Sequence, residues 1–465
     1  MIRHRALPLL LLAALLGSPA PARPARASSP ESRLSRAARW LQAYLQIDTT
    51  DPPGHEERGA AFLADILHRE GIATTLLVSP TGRTSLYARL RASPAAGAPV
   101  GGPLILLHHI DVVPAGPEWT VKPFAGIVKN GRLWGRGALD IKSLGVAELA
   151  ALIDLHRRGV PLERDVVFLA VADEERGGRQ GAGWLLASHP ELFTGTAAVL
   201  NEGGANRTVN GRALWAGIEV AQKRPLWMRI TAMGRPGHAS GLAPSSATHQ
   251  LILGLSRVLQ LPMRWKVTEA ARLYLGALAP LHNAKYRRIF THLDDVIRPD
   301  GPTEDFIPGL ANLFVDTFQV TELQSGEKIN VIPPEASAEV DARLLPETDG
   351  QAYLARIKEA LGDQLHVEVL LTSPPVPPSP VDDPIYRAVA KVLSKTAPVV
   401  PAFIAGFTDS RYFREKGIPA YGVSPFFLEP QDFLGIHGPN ESIPLGEFDR
   451  GVERMRRIVA ACAAR

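Results

Sequence analysis

The sequence predicts an α/β chain, with a mostly parallel sheet flanked by helices and interrupted by a smaller α+β unit. Leu104–Leu107 and Val166–Val171 are continuous apolar runs, the mark of strands buried on both faces of a parallel sheet. Segments with apolar residues at helical spacing alternate with them. Downstream, strand and helix patterns follow the order β-α-β-β-α-β of a small ferredoxin-like domain.

In chain order, residues 33–46 carry Leu34, Ala38, Leu41 and Leu45 at helical spacing. Residues 56–70 repeat the pattern and stop at Gly71, a C-cap. Leu76–Val78 and Leu86–Leu90 read as short strands, and the Ala/Gly/Pro-rich stretch 92–103 as a surface loop. Ser143–Arg158 reads as a helix closed by Gly159. A second region opens near Gly217. In it Leu226–Thr231, Phe318–Val331, Ala336–Leu344 and His366–Leu371 are the strands, and Ser245–Leu259 and Gly350–Leu361 the helices. Residues 261–312 form an irregular insert, expected to shape the substrate pocket. The proline-rich run Pro374–Pro380 is a stiff return hinge, and residues 381–465 complete the first domain. The expected division is therefore 28–217 and 373–465 for the larger domain and 218–372 for the inserted one.

The first 27 residues read as a secretory signal, with Arg3, His4 and Arg5 ahead of a short apolar stretch and Ala25-Arg26-Ala27 as cleavage site. The expected location is periplasmic or secreted, with no membrane span once the signal is removed. Retention of the segment as an anchor is the alternative. The signal carries four arginines and no acid, so the formal +4 falls to zero in the mature chain. No argument for nucleic-acid binding survives. Cys462 is the single cysteine, so any metal site must be built from histidine and carboxylate.

Such a set exists. His109 and Asp111 lie one residue apart at the end of a buried strand, which puts both side chains on one side near the carboxyl end of the sheet. His108 should face away. Asp111 also suits a carboxylate that orients His109. Asp140 follows a glycine-rich stretch and precedes a helix, where an aspartate is either a ligand or an N-cap. Asp173-Glu174-Glu175 ends an apolar strand, and adjacent carboxylates repel unless a cation neutralises them. Glu202 follows a short apolar segment, and His437 sits in a Gly/Pro-rich loop near the C-terminus. Singly, each also reads as a polar strand end or solvated loop. Together they are the ligand inventory of a two-metal hydrolase.

The ordered segments His109-Ile-Asp-Val-Val-Pro114, Trp134-Gly-Arg-Gly-Ala-Leu-Asp140, Asp173-Glu-Glu175, Asn201-Glu-Gly203, Gly237-His-Ala-Ser240, Asn330-Val-Ile-Pro333 and His437-Gly-Pro-Asn-Glu441 carry a resemblance. The chain resembles the di-zinc amidohydrolases that include the aminoacylases, the glutamate carboxypeptidases, succinyl-diaminopimelate desuccinylase and the carnosinases. Gly406–Arg411 looks most like their secreted carboxypeptidase and N-acyl-amino-acid hydrolase branch, although Phe407 stands where that branch has a second glycine. The resemblance implies a zinc-peptidase catalytic domain with an inserted lid that also serves dimerisation. It makes Asp140 the bridge between two zinc ions, with His109 and Glu202 on one and Glu175 and His437 on the other. Cobalt or manganese would substitute. Glu174 becomes the general base and Asp111 the orienter of His109. His238, often supplied by the partner subunit of a homodimer, would stabilise the oxyanion, and Asn330, Arg343 and Gly406 would hold the substrate. For Arg343 the reading is divided between gripping a substrate carboxylate and pairing with Asp341.

The expected reaction is hydrolysis of an amide or peptide bond next to a free carboxylate, in a small peptide or an N-acyl amino acid. A dipeptidase or aminopeptidase on the same fold, or an inactive exported binding protein, is the alternative. A phosphoesterase would want a basic clamp near the metals, where only Arg136 and Lys142 stand.

Overall fold

The computed structural model describes residues 34–93, 101–243, 245–304 and 306–464. The expected signal and most of the Ala/Gly/Pro-rich loop lie outside them. A nine-stranded sheet forms the larger domain. At its centre, strands Val166–Val171, Leu104–His109, Ala198–Asn201 and Ala420–Gly422 lie side by side and run parallel. Their residues are almost all buried, as the apolar runs require. Antiparallel strands flank them, Thr84–Leu90 and Thr74–Val78 on one side and Arg212–Gln222 on the other. Helix Lys142–Arg158 packs on one face of the central strands, and helix Leu445–Ala463 packs on that helix. The opposite face is closed by Leu185, Phe193 and Phe413 against Ile105, Leu107, Val167 and Leu169. Among the described residues no helix is long and apolar enough to cross a membrane.

The smaller sheet has four antiparallel strands in the order Thr317–Gln324, Glu335–Leu344, Arg224–Met233, Leu365–Thr372. Helices Ala247–Leu259 and Gly350–Leu361 cover one face, burying Leu251, Leu255, Ile357 and Leu361 against Met228, Ile230, Ala338 and Val340. This is the ferredoxin-like arrangement that the order of elements predicted.

Three expectations change. The strand expected over 318–331 leaves the sheet after Gln324 and returns only as Val331–Ile332, paired with Gly237–His238. Ser325-Gly326-Glu327-Lys328 has no apolar alternation to bury. The second region does not open at Gly217, which lies inside strand Arg212–Gln222 of the large sheet. A Cβ there would meet the Ala205 amide nitrogen at 2.8 Å, so this glycine serves close packing and not a break. The sheets exchange the chain at Lys223, whose Nζ donates to the Val315 carbonyl (2.9 Å). Finally, the insert packs its helix Glu269–Leu278 against strand Val399–Ile404 of the large sheet, with its own apolar centre around Phe290 and Phe314.

His108 faces helix Lys142–Arg158, as alternation required, with Glu148 at 3.3 Å and the Phe168 ring beside it. A Cβ at Gly145 would stand 2.3 Å from the His108 ring. Gly145→Ala gains up to about 1 kcal/mol of helix propensity but overpacks a fully buried site at a cost of about 1–3 kcal/mol. The variant is expected to melt at lower temperature than the parent by calorimetry. A raised melting temperature would show that the ring yields.

Candidate metal centre

The carboxyl ends of three parallel strands deliver the first part of the site. His109 is the last residue of its strand, Glu174 and Glu175 lie on a short 3₁₀ turn just past Val171, and Glu202 follows Asn201. This is the edge at which open α/β sheets bind ligands. Asp140 arrives from the start of helix Lys142–Arg158, its peptide to Ile141 cis. It is not an N-cap, since the cap position is Ile141 and no side chain caps the helix. His437 arrives from the C-terminal loop in a left-handed conformation (φ 57°).

These residues converge. His109 Nε2 lies 3.1 Å from Asp140 Oδ1 and 3.9 Å from Glu202 Oε1. His437 Nε2 lies 3.0 Å from Asp140 Oδ2 and 3.3 Å from Glu175 Oε2. The two oxygens of Asp140 therefore face two different imidazoles. Glu174 joins His109 and Glu202, with ligand atoms within 4.8 Å of one another.

Asp111 acts differently from expectation. Its carboxylate stands 3.7 Å from His109 Nδ1, beyond hydrogen-bond reach, while its backbone carbonyl accepts from Nδ1 at 2.9 Å. That bond keeps the proton on Nδ1 and turns Nε2 to the cluster. The Asp111 carboxylate instead accepts from the amides of Glu174 (3.2 Å) and Glu175 (2.9 Å), so it fixes the turn that presents both glutamates.

The electrostatics suit a divalent cation. Burial, with the charges of Asp140, Glu175 and Asp409, pushes the Glu202 carboxyl up to about 8 against the pull of His109. Burial and the charge of Glu202 raise Glu174 well above the carboxylate range. Hydrogen bonds from both histidines hold Asp140 far below it despite burial. The Asp140 hydrogen bond, then that of Glu175, lifts His437 to about 10. Glu175 Oε1 is buried with no hydrogen-bond partner. So many carboxylates, with only two imidazoles among them and one oxygen orphaned, form a donor set for divalent metal. In a neighbouring trio, Asp51, Glu56 and Asp111, two of the three carboxylates are already paired with a cation, since the Arg83 guanidinium bonds Asp51 (2.7 Å) and Glu56, and also Asp173 (3.0 Å).

The substrate residues are placed less uniformly. Arg343 lies on the open face of the small sheet, its Nε and Nη2 donating to Asp341 (3.1 and 2.9 Å), which is the pairing the sequence left open. It also stands over the Phe407 ring (5.2 Å) and beside Gly406, where a Cβ would come within 3.8 Å of its Nη1. His238 and Asn330 meet on the exposed ribbon of Gly237–His238 with Val331–Ile332, where Ala239 donates to the Asn330 carbonyl. Among the described residues, no hydrogen bond or ion pair joins either of them to the carboxylate cluster. A cleft of about 680 Å³ runs between the domains, lined by Arg83, Glu175 and Arg176 on one wall and Trp227, Glu339 and Asp341 on the other. The insert supplies none of the residues lining this cleft.

Sequence reasoning missed the supports. Glu441, Arg136 and Arg83 had no legible role, because a buried ion network shows no periodicity. Loop 406–411 is tied down by Thr408 to Gln222, by Asn201 to Ser410, and by Arg411 to the Gly177 carbonyl. Within it Asp409 is buried, which pushes its carboxyl up to about 7.

Residues 105–461 match peptidase family M20/M25/M40. The chain belongs to this family. It is a metal-dependent amidohydrolase of the M20 group. It is 27% identical to aminoacylase-1B of Rattus norvegicus over 91% of this chain and 94% of that one. It is 30% identical to the N-fatty-acyl-amino acid synthase/hydrolase of Mus musculus over 76% of this chain and 72% of that one. Among solved structures, an M20 family metallo-carboxypeptidase from Sulfolobus solfataricus superposes with a TM-score of 0.70 at 20% identity, covering 92% and 99% of the two chains. Human carnosine dipeptidase 1 gives 0.66 at 16%, covering 91% and 95%. The last two speak for the fold alone.

The raised groups set a pH dependence for metal-stripped protein. Glu202, raised from 4.5 to about 8, and His437, raised from 6.5 to about 10, hold protons more tightly folded than unfolded. Their stabilisation is complete below 4.5 and 6.5 and is lost as pH rises through the folded values. Metal competes for the same atoms. The rise in melting temperature on adding zinc should therefore grow between pH 5.5 and 8 in scanning fluorimetry. A rise independent of pH would count against these ligands.

Proposed function

We propose that this M20 amidohydrolase is an exported di-zinc enzyme that cleaves an amide or peptide bond next to a free carboxylate, as a carboxypeptidase or N-acyl-amino-acid hydrolase. The observation that carries the reading is Asp140, one carboxylate facing His109 and His437 through separate oxygens, with Glu174 alongside. His109 and Glu202 would hold one ion and Glu175 and His437 the other, with Asp140 common to both. Zinc, or cobalt or manganese in its place, would polarise the scissile carbonyl and acidify water. Glu174, which neither imidazole needs as a partner, takes a proton from the attacking water and returns it to the leaving nitrogen. Asp111 holds the turn that aims Glu174. Arg343, Asn330 and Gly406 are assigned to the substrate carboxylate. The likeness to an aminoacylase and to an N-fatty-acyl-amino acid synthase/hydrolase supports a substrate with that carboxylate.

His238 is assigned to the oxyanion of the tetrahedral intermediate. Its exposed place on the small domain suits delivery from a partner subunit, and the same domain exposes Met233, Leu242, Ile252, Leu253 and Ile329. A homodimer through the small domain follows from this reading. Sedimentation velocity is expected to give a dimer that Leu253→Glu converts to monomer. A monomeric parent would remove His238 from the mechanism.

Glu174→Ala is expected to lower kcat by ~10²–10⁴-fold with zinc content unchanged. Retained turnover would refute its role as base. The assay panel is N-acetyl, long-chain N-acyl and dipeptide substrates with free and amidated C-termini. Release only from free C-termini supports the reading, and release governed by a free amine replaces it with an aminopeptidase.

A further inference from the structure

Glu441 shares a loop with His437, and its carboxylate is fully buried. Oε2 accepts from Arg136 Nη1 (2.8 Å) and the Gly137 amide (2.8 Å), and Oε1 from the amides of Leu139 (2.6 Å) and Asp140 (3.0 Å). Four donors of one five-residue stretch thus close on one side chain, and the last is the amide of the aspartate that both histidines face. Further contacts run in the same direction. Arg136 Nη2 donates to the Gly438 carbonyl (3.0 Å), and the Gly135 amide to the Glu441 carbonyl (3.0 Å). Beyond the loop, strand Ser442–Pro444 pairs antiparallel with Arg132–Trp134. The segments that carry Asp140 and His437, about three hundred residues apart in sequence, are therefore one hydrogen-bonded unit. His109, Glu175 and Glu202 belong to another unit, the carboxyl edge of the large sheet.

We propose that Glu441 is a positioning residue that sets Asp140 against His437 and so builds the half of the metal centre to which His437 belongs. The inference rests on the two-metal reading above. Both oxygens of Glu441 are fully engaged, each by two donors. A glutamine in either orientation turns its NH₂ toward two of those donors, so the isosteric change breaks the clamp without opening a cavity. Glu441 touches no reacting atom. Its removal acts on metal retention, and it acts unevenly: the His109/Glu202 half keeps its supports on the sheet, while the His437/Glu175 half loses the register between its loop and Asp140.

The test uses the full-length protein with Glu441→Gln and Glu441→Asp. Zinc is titrated calorimetrically, stoichiometry is checked by elemental analysis, folding by circular dichroism, and initial rates are followed across zinc concentration. For Glu441→Gln we expect one ion held at parental affinity and the other weakened about 10–100-fold. Activity should fall at limiting zinc and return to near the parental kcat, with unchanged KM, at excess zinc. A purely structural role would lower stability without separating the two ions and without rescue by zinc. Glu441→Asp keeps the charge but is one methylene short of spanning Arg136 and the Asp140 amide. It should weaken the same ion to a smaller degree, and it carries the test if the glutamine variant does not fold. Two ions bound at parental affinity in either folded variant, or both ions weakened equally, would overturn the proposal. A parental enzyme that binds fewer than two ions would overturn the two-metal reading as well, so the two failures are distinct.

Discussion

Charge crowding is the constraint on which this site depends. Asp140 with Glu175, and Glu174 with Glu202, bring ligand atoms within 4.8 Å of each other and of His109, with His437 as the second imidazole, in a half-buried setting. Left alone, such a cluster resists ionisation and works against folding. Backbone amides relieve it in part. Asp111 takes two of them and Glu441 takes three, so buried carboxylates one layer out are neutralised by main chain and by Arg136. The residues facing the centre have no such relief. The protein therefore spends its fixed donors on supports and leaves the ligands hungry for a cation.

The same economy separates the two buried acidic groups. Arg83 lies among Asp51, Glu56 and Asp173 and pairs with all three. No guanidinium or ammonium reaches Glu174, Glu175 or Glu202 among the described residues. A buried acid cluster with an arginine in it stiffens the fold, whereas one without waits for a ligand.

Much of this was legible in the sequence, and the reasons are physical. Strands buried on both faces carry continuous apolar runs, so Val166–Val171 was bounded correctly and the polar residue after each run marked the sheet edge. Gly159 closes helix Lys142–Arg158 in the left-handed conformation that only glycine takes cheaply. Period-two alternation placed His109 and Asp111 on one side and His108 on the other. What stayed illegible depends on distant partners. Gly217 looked like a break because nothing in its neighbourhood reports that Ala205 will press against it. Asp111 looked like an orienting carboxylate, but the carbonyl two atoms away does that work. Glu441 drew no role of its own because its four donors lie about three hundred residues upstream.

The strand pairing of Ser442–Pro444 with Arg132–Trp134 also bears on the order of events in the life of the chain. Four of the five candidate ligands, His109, Asp140, Glu175 and Glu202, lie within one stretch of about a hundred residues, and the fifth, His437, follows more than two hundred residues later. A chain lacking the region around His437 has no second imidazole to set against Asp140. The pairing therefore makes the arrangement around Asp140 a late event in synthesis relative to the sheet edge that carries His109, because it requires a segment made about three hundred residues after Asp140 to dock on the stretch just before it.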